Sequence, residues 1–198
     1  MTGQPDDEFA AEVAAAIAAL RRGDVVAYPT ETFYGLGVDA FDGAALERLR
    51  ALKGRGEKAI SLLIDGEAML ARLCAEVPPR ARALMARNWP GALTLALPAR
   101  PGLPDALVSD GCVAVRQSPH PVARALVAGF GGPVTTTSAN RSGEPPATTA
   151  AAVRAALGAG CHVLDGGPTA GGAPSTLARV RGDSVEILRA GAVDLSGA

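Results

Sequence analysis

An α/β fold, with helices covering a mixed sheet of about seven strands, is what the sequence predicts. Two observations carry this. Short apolar or β-branched runs of three to five residues recur along the chain, and segments with apolar residues at helical spacing fall between them. Glycine (24) and proline (15) punctuate the 198 residues without a period, as turns between short elements would.

The elements follow in order. After Asp6-Asp7-Glu8, Val13, Ile17 and Leu20 share one helical face, with carboxylates at the positive end of the dipole. Val25 to Tyr28 reads as a buried strand that Pro29 ends, because proline has no N–H to donate. Ala44 to Leu52 is a helix with Asp42 as its cap and Gly54 as its stop. Ile60 to Ile64 is a strand, Pro78 to Asn88 a helix, and Leu93 to Leu97 a strand with one small or polar face. Val113 to Arg116 (strand), Pro121 to Ala128 (helix), Val134 to Thr137 (strand) and Thr149 to Leu157 (helix) come next. His162 to Leu164, Thr176 to Val180 and Val185 to Leu188 are the last strands. No linker or repeat interrupts the series, so one domain over residues 1–198 is expected.

Composition narrows the function. Apolar residues make up 48% and charged residues 20%, as in globular proteins. A formal net charge of −1 gives no general pull on nucleic acid or on anionic membranes, so any bound anion needs a local cluster. No run is long and apolar enough to span a bilayer, and Met1 to Glu8 lacks the pattern of a secretory leader. Cys74, Cys112 and Cys161 are widely spaced and suggest neither a disulfide framework nor a zinc site. A cytoplasmic location without membrane attachment is the expectation.

Several polar constellations stand out. Pro29 to Ala40 puts Thr30, Glu31, Thr32 and Tyr34 on a turn, with Gly35 and Gly37 letting the backbone approach a ligand or a neighbouring strand. Lys53-Gly54-Arg55 with Lys58 reads either as helix capping or as an anion clamp. Arg116 closes an apolar strand and needs an anionic partner or a route to water. Thr135 to Gly143 is the densest polar run, and Ser138 and Asn140 at a strand end read as site residues. The Gly166 to Thr176 loop is either a connection or a cover over a ligand with Ser175 and Thr176 as donors. Phosphate-loop, dinucleotide, nucleophile-elbow and zinc-protease motifs are missing from the chain, and with two histidines imidazole chemistry is disfavoured. Cations, hydroxyls and an amide suit electrostatic stabilisation of nucleotidyl transfer to an anionic nucleophile.

Taken in order, these segments resemble the YrdC-like family, the threonylcarbamoyl-adenylate synthases. The resemblance runs from about Gly23 to Val193, through P-T-E-T-x-Y-G-L-G at Pro29 to Gly37, K-x-R at Lys53 to Arg55 and W-P-G-x-x-T at Trp89 to Thr94. V-A-V-R-x-x-x-H-P at Val113 to Pro121, S-A-N-x-S-G at Ser138 to Gly143, P-S-T at Pro174 to Thr176 and L-R-x-G at Leu188 to Gly191 complete it. It implies a twisted mixed sheet with an open concave cleft, in the single-domain short form. The implied reaction joins L-threonine, bicarbonate and ATP into L-threonylcarbamoyl-AMP with release of pyrophosphate. The product would serve threonylcarbamoylation of the tRNA adenosine beside the anticodon.

By the family pattern, Lys53 and Arg55 would be catalytic and contact nucleotide phosphates. Thr32, Lys58, Arg116, Thr136 and Ser175 would hold threonine and carbamate, and Ser138, Asn140 and Arg189 the nucleotide. Mg²⁺ would come with ATP, and no metal site is assigned to the protein itself. A threonylcarbamoyl-transferase complex would take the product, with a weak tRNA contact as a further partner. Glu31 is expected to orient neighbours and not to act as a base, because a carboxylate aimed at anionic substrates would repel them. The alternative is an RNA-binding module without catalysis, against which the net charge of −1 and 4% aromatics count.

Overall fold

The computed structural model describes residues 5–54 and 59–195. Arg55 and Lys58, assigned above to phosphates and carbamate, lie outside the described residues.

The chain opens with α1 (Pro5–Arg21), whose buried Val13, Ala16 and Leu20 pack with Val122, Leu126 and Val127 of α5 (Pro121–Phe130). After α1 come β1 (Val26–Pro29) and, antiparallel to it, β2 (Tyr34–Gly37). Helix α2 (Gly43–Lys53) is capped as predicted: the Asp42 side chain accepts from the Ala45 N–H, and Gly54 takes the left-handed conformation at φ 59°. Strand β3 (Leu62–Leu63) leads to α3 (Glu67–Leu73), which sequence reading missed; seven residues give too short a period to register. Then follow α4 (Pro79–Asn88), β4 (Leu93–Pro98), β5 (Val108–Ser109), β6 (Cys112–Arg116) and α5. The remaining elements are β7 (Val134–Thr135), β8 (Thr137–Ser138), α6 (Ala150–Leu157), β9 (His162–Val163), β10 (Thr176–Arg181) and β11 (Ser184–Arg189).

The strands form two sheets. A mixed seven-stranded sheet runs β11-β10-β4-β6-β3-β7, with β5 also on β6, and a second sheet of four runs β8-β2-β1-β9. The larger sheet meets the expectation of about seven strands. The smaller one was not anticipated, and its two unread features have physical causes. Strand β2 is Tyr-Gly-Leu-Gly, without the β-branched residues that usually announce a strand. The run Val134 to Thr137, expected as one strand, is divided between the two sheets at Thr136. There the backbone leaves the ladder: the Thr136 N–H donates to Ser61 O at 2.7 Å, and Ser61 Oγ donates to Thr136 O at 2.8 Å.

Tyr28 locks this seam. It is fully buried, its hydroxyl donates to Thr135 O at 2.8 Å, and burial pushes its pKa up to about 12, so it remains a donor at neutral pH. Its ring explains Gly37. A Cβ there would stand 2.5 Å from Val134 Cγ1 and 2.8 Å from Tyr28 Cε1. Of the two readings, the neighbouring strand is the one realised at Gly37. Gly37→Ala is therefore expected to cost about 1–3 kcal/mol by overpacking, read as a lowered midpoint in chemical denaturation.

Alternation along the large sheet decides where the site lies. Leu62, Leu95, Val115 and Ala178 point into the larger core, with α3 and α4 residues such as Leu70, Leu73 and Leu84. Thr94, Ala114, Arg116 and Leu177 alternate with them and line a cleft on the opposite face.

Candidate functional site

The cleft has a volume of about 670 Å³. Its floor is the polar face of β4, β6 and β10; its walls are the β1–β2 turn, the seam at Thr136 to Ser138, and the segment from Gly172 to Ser175. Among the sequence-assigned residues, Thr32, Arg116, Thr136, Ser138, Ser175 and Arg189 line it. Segments far apart in sequence thus converge.

Arg116 anchors one side. Its side chain is 7% exposed, with Nη1 donating to Glu31 Oε1 at 2.5 Å and Nη2 donating to Thr136 Oγ1 at 3.3 Å. The anionic partner that an arginine at the end of an apolar strand requires is therefore Glu31. The other Glu31 oxygen accepts from Ser118 Oγ at 2.5 Å. His120 heads α5 without a side-chain cap bond, and burial lowers its pKa, so the ring is neutral at pH 7.

The β1–β2 turn is a hydroxyl ladder. Thr30 Oγ1 donates to Phe33 O at 2.7 Å and lies 3.3 Å from Thr32 Oγ1, which holds the Thr32 side chain toward the cleft. The glycine-rich segment 166–175 is tied to this turn. Gly171 N–H donates to Thr32 O at 2.8 Å, Tyr34 Oη donates to Gly167 O at 2.8 Å, and Thr169 N–H donates to Thr148 O at 2.9 Å. Burial raises the Tyr34 pKa, which keeps that phenol a donor.

Across the floor, Ser175 Oγ and Thr94 Oγ1 share a hydrogen bond of 2.9 Å. Arg189 grips the same serine, with Nη2 at 2.8 Å from Ser175 O and 3.1 Å from Ser175 Oγ. In these contacts Arg189 shapes the cleft through Ser175. Gly191 makes room for this grip: a Cβ there would collide with Pro174 O and stand 2.6 Å from Ser175 C and Thr176 N. All three are backbone atoms with no side chain to swing away, so Gly191→Ala is expected to displace Ser175. The expected readout is a loss of catalytic efficiency together with a lowered melting temperature.

Two assigned residues stand behind the cleft. Lys53 and Asn140 are not among the described residues that line it. Lys53 is 4% exposed, and its Nζ donates to Ser138 O at 2.5 Å and to Asn140 O at 3.0 Å, while Lys53 O accepts from Ser142 N–H at 2.9 Å. Asn140 Nδ2 donates to Arg141 O and Glu144 O, folding the same loop. Both build the segment that presents Ser138.

Thr94 and Ser61 carry site chemistry that sequence reasoning left unassigned. A signal for Thr94 existed. Leu95 pairs with Val115 across β4 and β6, so antiparallel register sets Thr94 opposite Arg116 on the polar face. No described lining residue is a carboxylate, while two are arginines, so the cleft favours anionic ligands. No group of three or more His, Cys, Asp or Glu among the described residues could hold a metal ion. No helix among them is long and apolar enough to cross a membrane.

Known proteins match this architecture. The Sua5/YciO/YrdC family model, which carries the description telomere recombination, matches residues 18–191. The threonylcarbamoyl-AMP synthase of Chromohalobacter salexigens is 47% identical over 187 residues, 92% of this chain and 98% of that protein. That of Bacillus subtilis is 40% identical over 186 residues, 92% of this chain and 54% of that protein. The crystal structure of P. abyssi Sua5 complexed with L-threonine superposes with a TM-score of 0.86 at 35% identity, covering 90% of this chain and 54% of that one. E. coli YciO shares the fold, with a TM-score of 0.83 at 24% identity. The chain spans about half the length of the B. subtilis and P. abyssi proteins and nearly all of the C. salexigens one. With a family model matching most of its residues and these relatives across nine-tenths of its length, the chain belongs to the Sua5/YciO/YrdC family.

Proposed function

We propose that this protein is a threonylcarbamoyl-AMP synthase, a nucleotidyltransferase serving tRNA modification. The observation that carries the reading is the 47% identity, over nearly the whole of both chains, with a protein of that name. The cleft is chemically suited to it.

In the proposed reaction the amino nitrogen of L-threonine takes the carbon of bicarbonate, water leaves, and a carbamate forms. A carbamate oxygen then attacks the α-phosphorus of ATP; the bond from that phosphorus to the bridging oxygen breaks, and pyrophosphate departs. The nucleophile is already anionic, so alignment and charge stabilisation matter more than a strong base. Arg116 would take the threonine carboxylate, with Thr32, Thr136 and Ser175 as hydroxyl partners around it. The complex of P. abyssi Sua5 with L-threonine supports an amino-acid side to this cleft.

Ser138, on the loop that Lys53 and Asn140 shape, would face the nucleotide, and Arg189 would act there through Ser175. Arg55 and Lys58 would approach the phosphates and carbamate. Mg²⁺ would arrive on the phosphates of ATP as part of the substrate, since no described carboxylate lines the cleft to hold it. The product would pass to a threonylcarbamoyl-transferase complex in the cytoplasm.

The test is product identity. With ¹³C-bicarbonate, L-threonine and ATP, mass spectrometry should find AMP joined to a threonylcarbamoyl group carrying one ¹³C. An adenylate that forms equally well without bicarbonate, or that lacks the label, would contradict the proposal.

A further inference from the structure

Glu31 sits between the cleft and the start of α5, and its contacts run in one direction. Both carboxylate oxygens are committed: Oε1 accepts from Arg116 and Oε2 from Ser118. Ser118 is 1% exposed and is itself held, its Oγ accepting from the backbone N–H of His120 at 3.2 Å. Arg116 is among the residues that line the cleft, whereas Glu31 is not among the described ones that do.

A guanidinium is a rigid planar fork of donors. Glu31 takes one of its terminal nitrogens and Thr136 Oγ1 the other, which defines the plane of the group. This arrangement has an electrostatic cost. A carboxylate beside Arg116 weakens its attraction for an incoming anion. A site built for the greatest attraction would omit that carboxylate; a site that needs the fork in one orientation gains from it, because oriented binding depends on small displacements.

We infer that Glu31, anchored through Ser118, is a positioning residue that orients Arg116 toward the carboxylate of the amino-acid substrate. It thereby sets amino-acid affinity separately from nucleotide affinity. The inference rests on the synthase reading of the cleft.

The test compares wild type, Glu31→Ala, Glu31→Gln and Ser118→Ala by steady-state kinetics and by calorimetric titration with L-threonine. Glu31→Ala is expected to raise the KM and Kd for threonine about tenfold or more, because the guanidinium loses its charged partner. The KM for ATP and the kcat at saturating threonine should change less than about twofold. Glu31→Gln keeps an acceptor for Arg116 and should recover most of the affinity, and Ser118→Ala should fall between. An unchanged threonine KM in both Glu31→Gln and Ser118→Ala, with any Glu31→Ala loss confined to kcat and folded fraction, would overturn the inference and leave the synthase reading intact. A wild type that neither binds threonine nor turns over would overturn both.

Discussion

Arg116→Ala is expected to abolish threonine-dependent turnover and to cost about 3 kcal/mol of folding free energy, because it strands a largely buried carboxylate. The Arg116 and Glu31 side chains are 7% and 15% exposed, so solvent screens the pair little. Removing the guanidinium leaves Glu31 Oε1 without its cation and takes the cleft's anion-binding fork with it. The two losses separate in a double variant. Arg116→Met with Glu31→Gln removes both charges and should regain most of the stability, as neutral replacements of buried ion pairs do, while activity stays lost. Urea denaturation of the two single variants and the double variant measures the first effect, and turnover measures the second. If the double variant is no more stable than Arg116→Ala, the buried pair is not the source of the loss.

Lys53→Met is expected to lower stability by about 2–3 kcal/mol and turnover by about tenfold or more, since the ammonium makes charge-assisted bonds to two loop carbonyls. From sequence, Lys53 belongs either to a helix cap or to an anion clamp at the surface of the cleft. The structure revises this: the side chain is buried and ties the end of α2 to the segment that carries Ser138. Methionine fills similar volume but donates nothing, so Ser138 O and Asn140 O lose these bonds. Arg55→Ala offers the contrast, with a loss of turnover expected and no loss of stability. Melting temperatures measured beside pyrophosphate release will separate the two; a Lys53→Met protein as stable as wild type would refute the pinning role.

Much of the fold was legible because its signals are local. Asp42 and Gly54 bracket α2 within a dozen residues, and the proline at the start of α5 sits where its missing N–H does no harm. What escaped depends on contacts distant in sequence. The break at Thr136 is made by Ser61, 75 residues away, and Gly37 of β2 answers to the ring of Tyr28 and to Val134. The site divided in the same way. Residue types at strand ends pointed to Thr32, Arg116, Ser138 and Ser175, which line the cleft. Whether a cation faces the ligand or holds a loop depends on its partners, so Lys53 and Arg189 could be found by type while their contacts could not. Thr94 was within reach, since alternation along β4 and the register with β6 set it beside Arg116.

The most direct test of the central claim is pyrophosphate release from ATP by the wild-type protein, with L-threonine and bicarbonate each present or withheld. The synthase account predicts release that requires both and that falls to background when either is omitted. Release that continues unchanged without threonine would contradict it.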